Sequence, residues 1–161
     1  MSDKTHDVYL NLGSNIEPEL HLPEAVRLLG EHGQIRALSN AWQSHAFWTD
    51  GPDFLNACVL IQTSLGPDEL LRRVIRPSEA ALGRERGPDE NAPRTIDIDI
   101  VLFNEEPVGE DGWSHPFVVV PLAELLPDFH HPHAQERLDK VAEGMRRQTW
   151  IVACPDILNS E

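Results

Sequence analysis

Residues 54–63 read Phe-Leu-Asn-Ala-Cys-Val-Leu-Ile-Gln-Thr, and Ala57 to Ile61 within them are apolar at every position. A strand with one wet face alternates polar and apolar residues. A run with no polar side belongs where both faces are covered, at the centre of a sheet. Turn signals bound it, Asp50-Gly51-Pro52 before and Ser64-Leu65-Gly66-Pro67-Asp68 after.

Working outward, Ile35 to Ser44 reads as the preceding strand and Val8 to Leu12 as the first, stopped by Gly13-Ser14-Asn15. Between them, Leu20 to Leu29 carries apolar residues at helical spacing, and Gly30 and Gly33 end that helix. On the other side a helix is expected from Asp68 to Leu82, bent near Pro77 because proline lacks the amide proton a helix interior uses, and closed by Gly83. Glu85 to Pro93 has prolines, a glycine and charges without periodicity, which predicts an exposed, mobile loop before the strand Thr95 to Phe103. The order strand, helix, strand, strand, helix, strand predicts an α+β, ferredoxin-like antiparallel sheet covered by helices, with one face free to hold a ligand. Beyond it come a polar loop to His115-Pro116, a short helix near Pro121 to Leu126, a helix around Gln135 to Gln148 and the apolar piece Trp150 to Cys154. The whole of residues 1–161 is expected to form a single domain.

The formal net charge of −14 argues against nucleic acid and anionic membrane as partners, since both require clustered positive charge. No apolar stretch reaches the roughly 18 residues of a membrane span, and the polar start Met1-Ser2-Asp3-Lys4 is unlike a signal peptide, so a cytoplasmic location is expected. Cys58 and Cys154 lie in apolar runs without metal-ligand spacing and read as buried free thiols. Positive charge is uneven: Arg72, Arg73, Arg76, Arg84, Arg86 and Arg94 crowd one stretch of an acidic chain, which fits a small phosphorylated ligand or a set of surface ion pairs.

Chemistry concentrates in Arg94-Thr95-Ile96-Asp97-Ile98-Asp99. Residues two apart on a strand share a face, so Asp97 and Asp99 point the same way, about 6.5 Å apart at Cα, while Ile96, Ile98 and Ile100 fill the other side. Two carboxylates so placed either pair with arginines on a solvated face or gather a hard cation. Mg²⁺ suits them, because it keeps several waters and takes further ligands from substrate phosphates. Arg84, Arg86 and Arg94 flank the loop and offer planar forks that match phosphate oxygens.

Several pieces together resemble the hydroxymethyl-dihydropterin pyrophosphokinase family of folate biosynthesis. They are Gly13-Ser14-Asn15, Phe54-Leu55-Asn56-Ala57, Glu79 with Leu82-Gly83-Arg84, and Pro93-Arg94-Thr95-Ile96-Asp97-Ile98-Asp99. The resemblance runs from about residue 8 to 103. It implies ATP-dependent pyrophosphoryl transfer to the hydroxymethyl group of a reduced pterin, with two Mg²⁺ ions held by Asp97 and Asp99 and ATP as co-substrate. It further implies that Arg84 and Arg94 act catalytically on the phosphates. Ser44, Phe54, Asn56 and Phe117 would hold the pterin, the two phenylalanines as a sandwich. Glu79, Arg84, Arg86, Arg94, Ile100 and His115 would lie at the nucleotide.

The chain departs from that family at Glu90 and Asn91, where a basic residue and a tryptophan are usual, and in the short segment Asn104 to Pro116, where a Pro-His pair and an arginine are usual. These departures keep open a catalytically weakened pterin- or nucleotide-binding relative, or the same chemistry on another acceptor. The run His130-His131-Pro132-His133 reads as a polar surface turn rather than a metal site, and the four tryptophans carry no motif.

Overall fold

The apolar run 54–63 is the middle of the sheet. In the computed structural model, which describes residues 4–46, 51–84 and 95–158, the strands are β1 (His6–Ser14), β2 (Gln34–Leu38), β3 (Ala41–Ser44), β4 (Phe54–Thr63), β5 (Asp97–Phe103), β6 (Glu106–Pro107) and β7 (Ile151–Cys154). They pair antiparallel in the order β6-β5-β1-β4-β3-β7, and β2 also pairs with β4. With β1 on one side and β2 and β3 on the other, β4 has neither edge nor face to water, which is why its apolar run tolerates no alternation.

One face of the sheet packs against α1 (Pro18–Gly30) and a second helical stretch made of α2 (Pro67–Leu70), a π-helical turn (Leu71–Ile75) and α3 (Arg76–Ala81). Leu22, Ala25 and Leu29, three and four residues apart, carry α1 onto Val8, Leu10 and Leu12 of β1. The bend expected at Pro77 takes the form of the π turn ahead of it. The Arg76 amide donates to the Leu71 carbonyl five residues back, widening the helix where proline withdraws a donor. Asn15 donates to the Pro52 carbonyl at 3.4 Å, so the turn after β1 is tied to the entry of β4.

The other face meets α4 (Pro116–Leu125) and α5 (Leu138–Gln148), with Val119, Val120 and Leu122 against Tyr9, Trp42 and Leu102. Helices therefore cover both faces, and the expected ligand face is only the part that α4 and α5 leave uncovered. Helix α4 starts five residues before the expected Pro121, because Pro116 suits a first turn and burial of Val118, Val119 and Val120 outweighs their weak helical preference. The expected strand Ile35 to Ser44 is two strands broken at Ser39 and Asn40. There the Ser39 hydroxyl accepts the Cys58 amide at 2.8 Å in place of a ladder bond. The β5–β6 hairpin turns through Asn104 and Glu105, both at positive φ (52° and 72°), and the Asn104 side chain accepts the Asp7 amide at 2.9 Å. A hairpin without Asn-Gly or Asp-Gly left no turn signal to read.

Candidate active site

Register places the polar residues of the second face in rows. Trp42 pairs with Asn56, Asn56 with Gly13 and Gly13 with Asp97, so one line crosses β3, β4, β1 and β5. Ser44 pairs with Phe54 at one end, while Cys58, Asn11 and Asp99 form the next line. The Asn56 amide packs over Gly13, which separates it along the row from the Asp97 carboxylate. A Cβ there would stand 2.6 Å from Nδ2 of Asn56, so the amide lies against the strand only because position 13 has no side chain.

Asp97 and Asp99 do share a face, as period-two spacing requires. Behind Asp97, Nη1 of Arg84 reaches its Oδ1 at 2.6 Å, the Ile96 carbonyl at 3.1 Å and the Glu79 carboxylate at 3.3 Å. Glu79 accepts the Ile98 amide at 2.9 Å and pairs with Arg76 at 3.4 Å. Asp99 opens onto the cleft, whose walls displace much of the surrounding water. Although Asp99 stays exposed to the cleft, desolvation by its walls, then the charge of Asp97, then a hydrogen bond between the two carboxyls push its pKa up to about 7. A carboxylate pair that takes up a proton when alone is suited to a cation. Among the described residues no cluster of three His, Cys, Asp or Glu side chains forms, so a metal here would draw its other ligands from water and substrate, as Mg²⁺ does.

The opposite wall comes from the short segment before α4. A 3-10 turn (Asp111–Ser114) folds Trp113 inward to 1% exposure, and His115 stacks on Phe117 with ring centroids 4.8 Å apart. Burial holds the His115 imidazole below its ordinary range, with Asp111 opposing the shift. The open cavity between these walls is about 790 Å³, large enough for a ligand of two ring systems. Four buried polar atoms on its lining side chains lack a hydrogen-bond partner among the described residues: Asn11 Oδ1, Ser44 Oγ, Asn56 Oδ1 and Trp113 Nε1. Native proteins rarely leave such groups unpaired, so together they mark a place where a ligand completes the structure.

Ser44, Phe54, Asn56, Asp97, Asp99, Ile100, His115 and Phe117 all line this one cavity. Arg84 and Glu79 do not. Arg84 is turned to protein partners behind Asp97, and Glu79, 2% exposed, lies beneath the strand, where its carboxylate meets Arg84 and the Ile98 amide. Arg86 and Arg94, and the loop of residues 85–94, fall outside the described residues. Ile100 is only half-buried on its expected side, since a bulge opposite Tyr9 and Leu10 ends the alternation and turns both Val101 and Leu102 to the second core. Arg76, one of the crowded arginines, also lines the cavity, as do Asn11 and Trp113, which sequence reasoning passed over. Asn11 alone had a readable signal, as a lone polar residue within an apolar strand. His131 is buried rather than on the surface, with Nε2 2.6 Å from the Trp113 carbonyl and Nδ1 accepting the His133 and Ala134 amides at 3.0 Å. Cys58 is a buried free thiol, and Cys154 is half-buried.

A family model described as 7,8-dihydro-6-hydroxymethylpterin-pyrophosphokinase matches residues 9–127. The chain is 31% identical to the 2-amino-4-hydroxy-6-hydroxymethyldihydropteridine pyrophosphokinase of Synechocystis, over 92% of this chain and 81% of that one. To the Bacillus subtilis protein of the same description it is 36% identical, over 86% of this chain and 87% of that one. Among solved structures, wild-type Plasmodium falciparum HPPK-DHPS with pterin and p-hydroxybenzoate matches 92% of this chain with a TM-score of 0.68 and 14% identity. This chain spans 43% of that longer one, and the likeness speaks for the fold.

Proposed function

The chain belongs to the 7,8-dihydro-6-hydroxymethylpterin-pyrophosphokinase family, and from that premise we propose how its residues share the work of ATP-dependent pyrophosphoryl transfer to hydroxymethyldihydropterin in folate biosynthesis. It is an enzyme of this kind, with ATP as co-substrate.

The observation that carries the assignment is the row Asn56–Gly13–Asp97. Two inter-strand steps separate its ends, about 9.5 Å. A flat bicyclic ring laid over Gly13, with one edge at Asn56, points an exocyclic hydroxymethyl group toward β5. Phe54 and Phe117 enclose the ring, and Ser44 and Asn56 complete hydrogen bonds at its polar edge. The hydroxymethyl oxygen then attacks the β-phosphorus of ATP in line, the bond to the α-phosphate oxygen breaks, and AMP leaves. Asp97 and Asp99 would hold two Mg²⁺ ions, which when bound neutralise charge on the triphosphate and on the attacking oxygen.

Around that centre the protein supplies position and charge. Arg84 fixes the direction of Asp97, and Glu79 fixes Arg84, so the pair acts on the reaction through a carboxylate. Arg76, half-exposed at the cavity, offers its guanidinium to the phosphate chain. His115, kept neutral by burial, is a hydrogen-bonding wall and not a fixed charge. Among the described residues no helix is long and apolar enough to cross a membrane. The net charge of −14 argues against nucleic acid and anionic membrane as partners, and a cytoplasmic location is part of the proposal.

The test is AMP formation from ATP, Mg²⁺ and hydroxymethyldihydropterin by the purified protein, with Asp97→Ala alongside. AMP from the parent and a loss of at least about 100-fold in the variant are expected. Equal rates would remove Asp97 from the machinery. Pterin binding without AMP from the parent would mark the chain as a binding relative whose short segment has cost it turnover.

A further inference from the structure

The geometry points to Trp113 as a specificity residue: its indole N–H donates to a ring nitrogen or carbonyl oxygen of an uncharged nitrogen heterocycle bound in the cavity. The inference rests on the reading that the cavity takes a pterin and a nucleotide. It adds a contact from the segment Asn104 to Pro116, which departs from the family's usual residues.

An indole nitrogen is a donor only, so its partner must be an acceptor. In Trp113 that donor is buried and lacks a partner among the described residues, although the side chain lines the cavity. Asn56 and Ser44, on the sheet wall of the same cavity, stand the same way, buried with an unmatched polar atom. The tryptophan is not there as loose filling. Phe129 stacks on it at 6.0 Å, the His131 ring meets it edge-on at 5.5 Å, and Nε2 of His131 lies 2.6 Å from its backbone carbonyl. His131 is fixed in turn. Its Nδ1 accepts two backbone amides, which leaves the proton on Nε2 and makes that nitrogen the donor to Trp113. A residue clamped from behind, with its one polar atom unmatched in a cavity wall, is preorganised for a ligand atom.

The chemistry of the neighbours selects that ligand. Val101, Phe117 and Val118 make the surroundings of Trp113 apolar, and its fellow unmatched groups are amides and a hydroxyl. The charged groups of the cavity are Asp97, Asp99 and Arg76, with Glu110 and Asp111 also on its lining. A neutral donor among apolar walls fits a flat heterocycle better than a triphosphate, whose charge calls for guanidinium or metal. Pterin and adenine both present such acceptors, and the experiment tells them apart.

Trp113→Phe keeps an aromatic ring against Phe129 and deletes the N–H. Phe129→Leu disturbs the same packing and keeps the N–H. For parent and both variants, dissociation constants are measured for hydroxymethyldihydropterin, for a non-hydrolysable ATP analogue and for inorganic tripolyphosphate, each with Mg²⁺, together with the melting temperature without ligand. In Trp113→Phe, affinity for one heterocycle is expected to fall about tenfold, with tripolyphosphate unchanged. Phe129→Leu should hold both heterocycles within about twofold of the parent. Loss for the pterin alone assigns the contact to the acceptor, and loss for the ATP analogue alone assigns it to the base. Unchanged affinity for both heterocycles, equal loss for tripolyphosphate, or the same losses in Phe129→Leu would overturn the inference. A parent that binds neither heterocycle would overturn the proposed function first, and this contact with it.

Discussion

Glu79 accepts the backbone amide of Ile98 at 2.9 Å, and Ile98 is the residue between Asp97 and Asp99. A carboxylate from α3 thus holds strand β5 at the point that sets the direction of both aspartates. The same carboxylate balances Arg84, which holds Asp97 from behind. Burial raises the Glu79 pKa, and the Ile98 amide and Arg84 oppose that rise. The carboxyl group is held in the interior by its partners, and each partner depends on it.

Removing Glu79 should therefore cost more than one hydrogen bond. Glu79→Ala leaves the buried Ile98 amide without its acceptor and takes from the Arg84 guanidinium one of its partners, so a loss of about 3 kcal/mol in unfolding free energy is expected. Glu79→Gln retains an acceptor for Ile98 and loses only the charge, so a loss of about 1 kcal/mol is expected. Denaturant titration of the two variants measures the difference. If both cost the same, the charge on Glu79 contributes nothing.

Stability of the metal-free protein should fall as pH rises from about 4 to about 7. Asp99 binds its proton more tightly in the folded state, where its pKa is pushed up to about 7, than in the unfolded chain, where an aspartate titrates near 3.9. A raised folded pKa gives stability that is present in full below the unfolded value and lost as pH climbs through the folded one. Asp99→Asn carries no such charge and should show a flatter melting temperature between pH 5 and pH 8. A variant with the parent's pH slope would show that another group produces it.

Much of this was legible because strands betray themselves by period. The unbroken apolar run Ala57 to Ile61 identifies the central strand, and the spacing of Asp97-Ile98-Asp99 sets two carboxylates on one face. What stayed hidden depends on groups distant in sequence. Glu79 reads as a helix-surface acid until Arg84 and Ile98 close over it, and no local pattern announces that contact. Val118, Val119 and Val120 argue against a helix on intrinsic preference, and only their burial in the second core reverses that. The resemblance to the family carried Ser44, Asn56 and Phe117 to the cavity. It was silent on Arg76, and on Trp113, which lies in the segment where the chain departs from the family's usual residues.

Gly13 offers a test of the row itself. Gly13→Ala places a methyl group where Nδ2 of Asn56 now lies, 2.6 Å away, and the flexible amide has to leave while the backbone stays. Pterin affinity is expected to fall by about tenfold or more, with ATP-analogue affinity and the far-UV spectrum unchanged. Isothermal titration with each ligand distinguishes this from general damage. Equal losses for both ligands would mean that position 13 supports the strand and not the amide.

The histidine-rich turn gives the last expectation, and it concerns stability rather than metal. His131 joins the turn to the 3-10 segment by receiving two amides on Nδ1 and donating from Nε2 to the Trp113 carbonyl. His131→Ala exposes the turn amides to water, which can serve them, but leaves the buried Trp113 carbonyl unmatched. An unfolding cost of about 2 kcal/mol follows, with a shift in tryptophan fluorescence as the indole loosens. His130→Ala and His133→Ala should change neither, since those histidines receive no comparable bond. Addition of Zn²⁺ to the parent should leave its melting temperature where it was, because among the described residues no cluster of metal ligands forms and both His131 nitrogens are already engaged. A Zn²⁺-dependent rise that His131→Ala abolishes would reverse this account and make the turn a metal site.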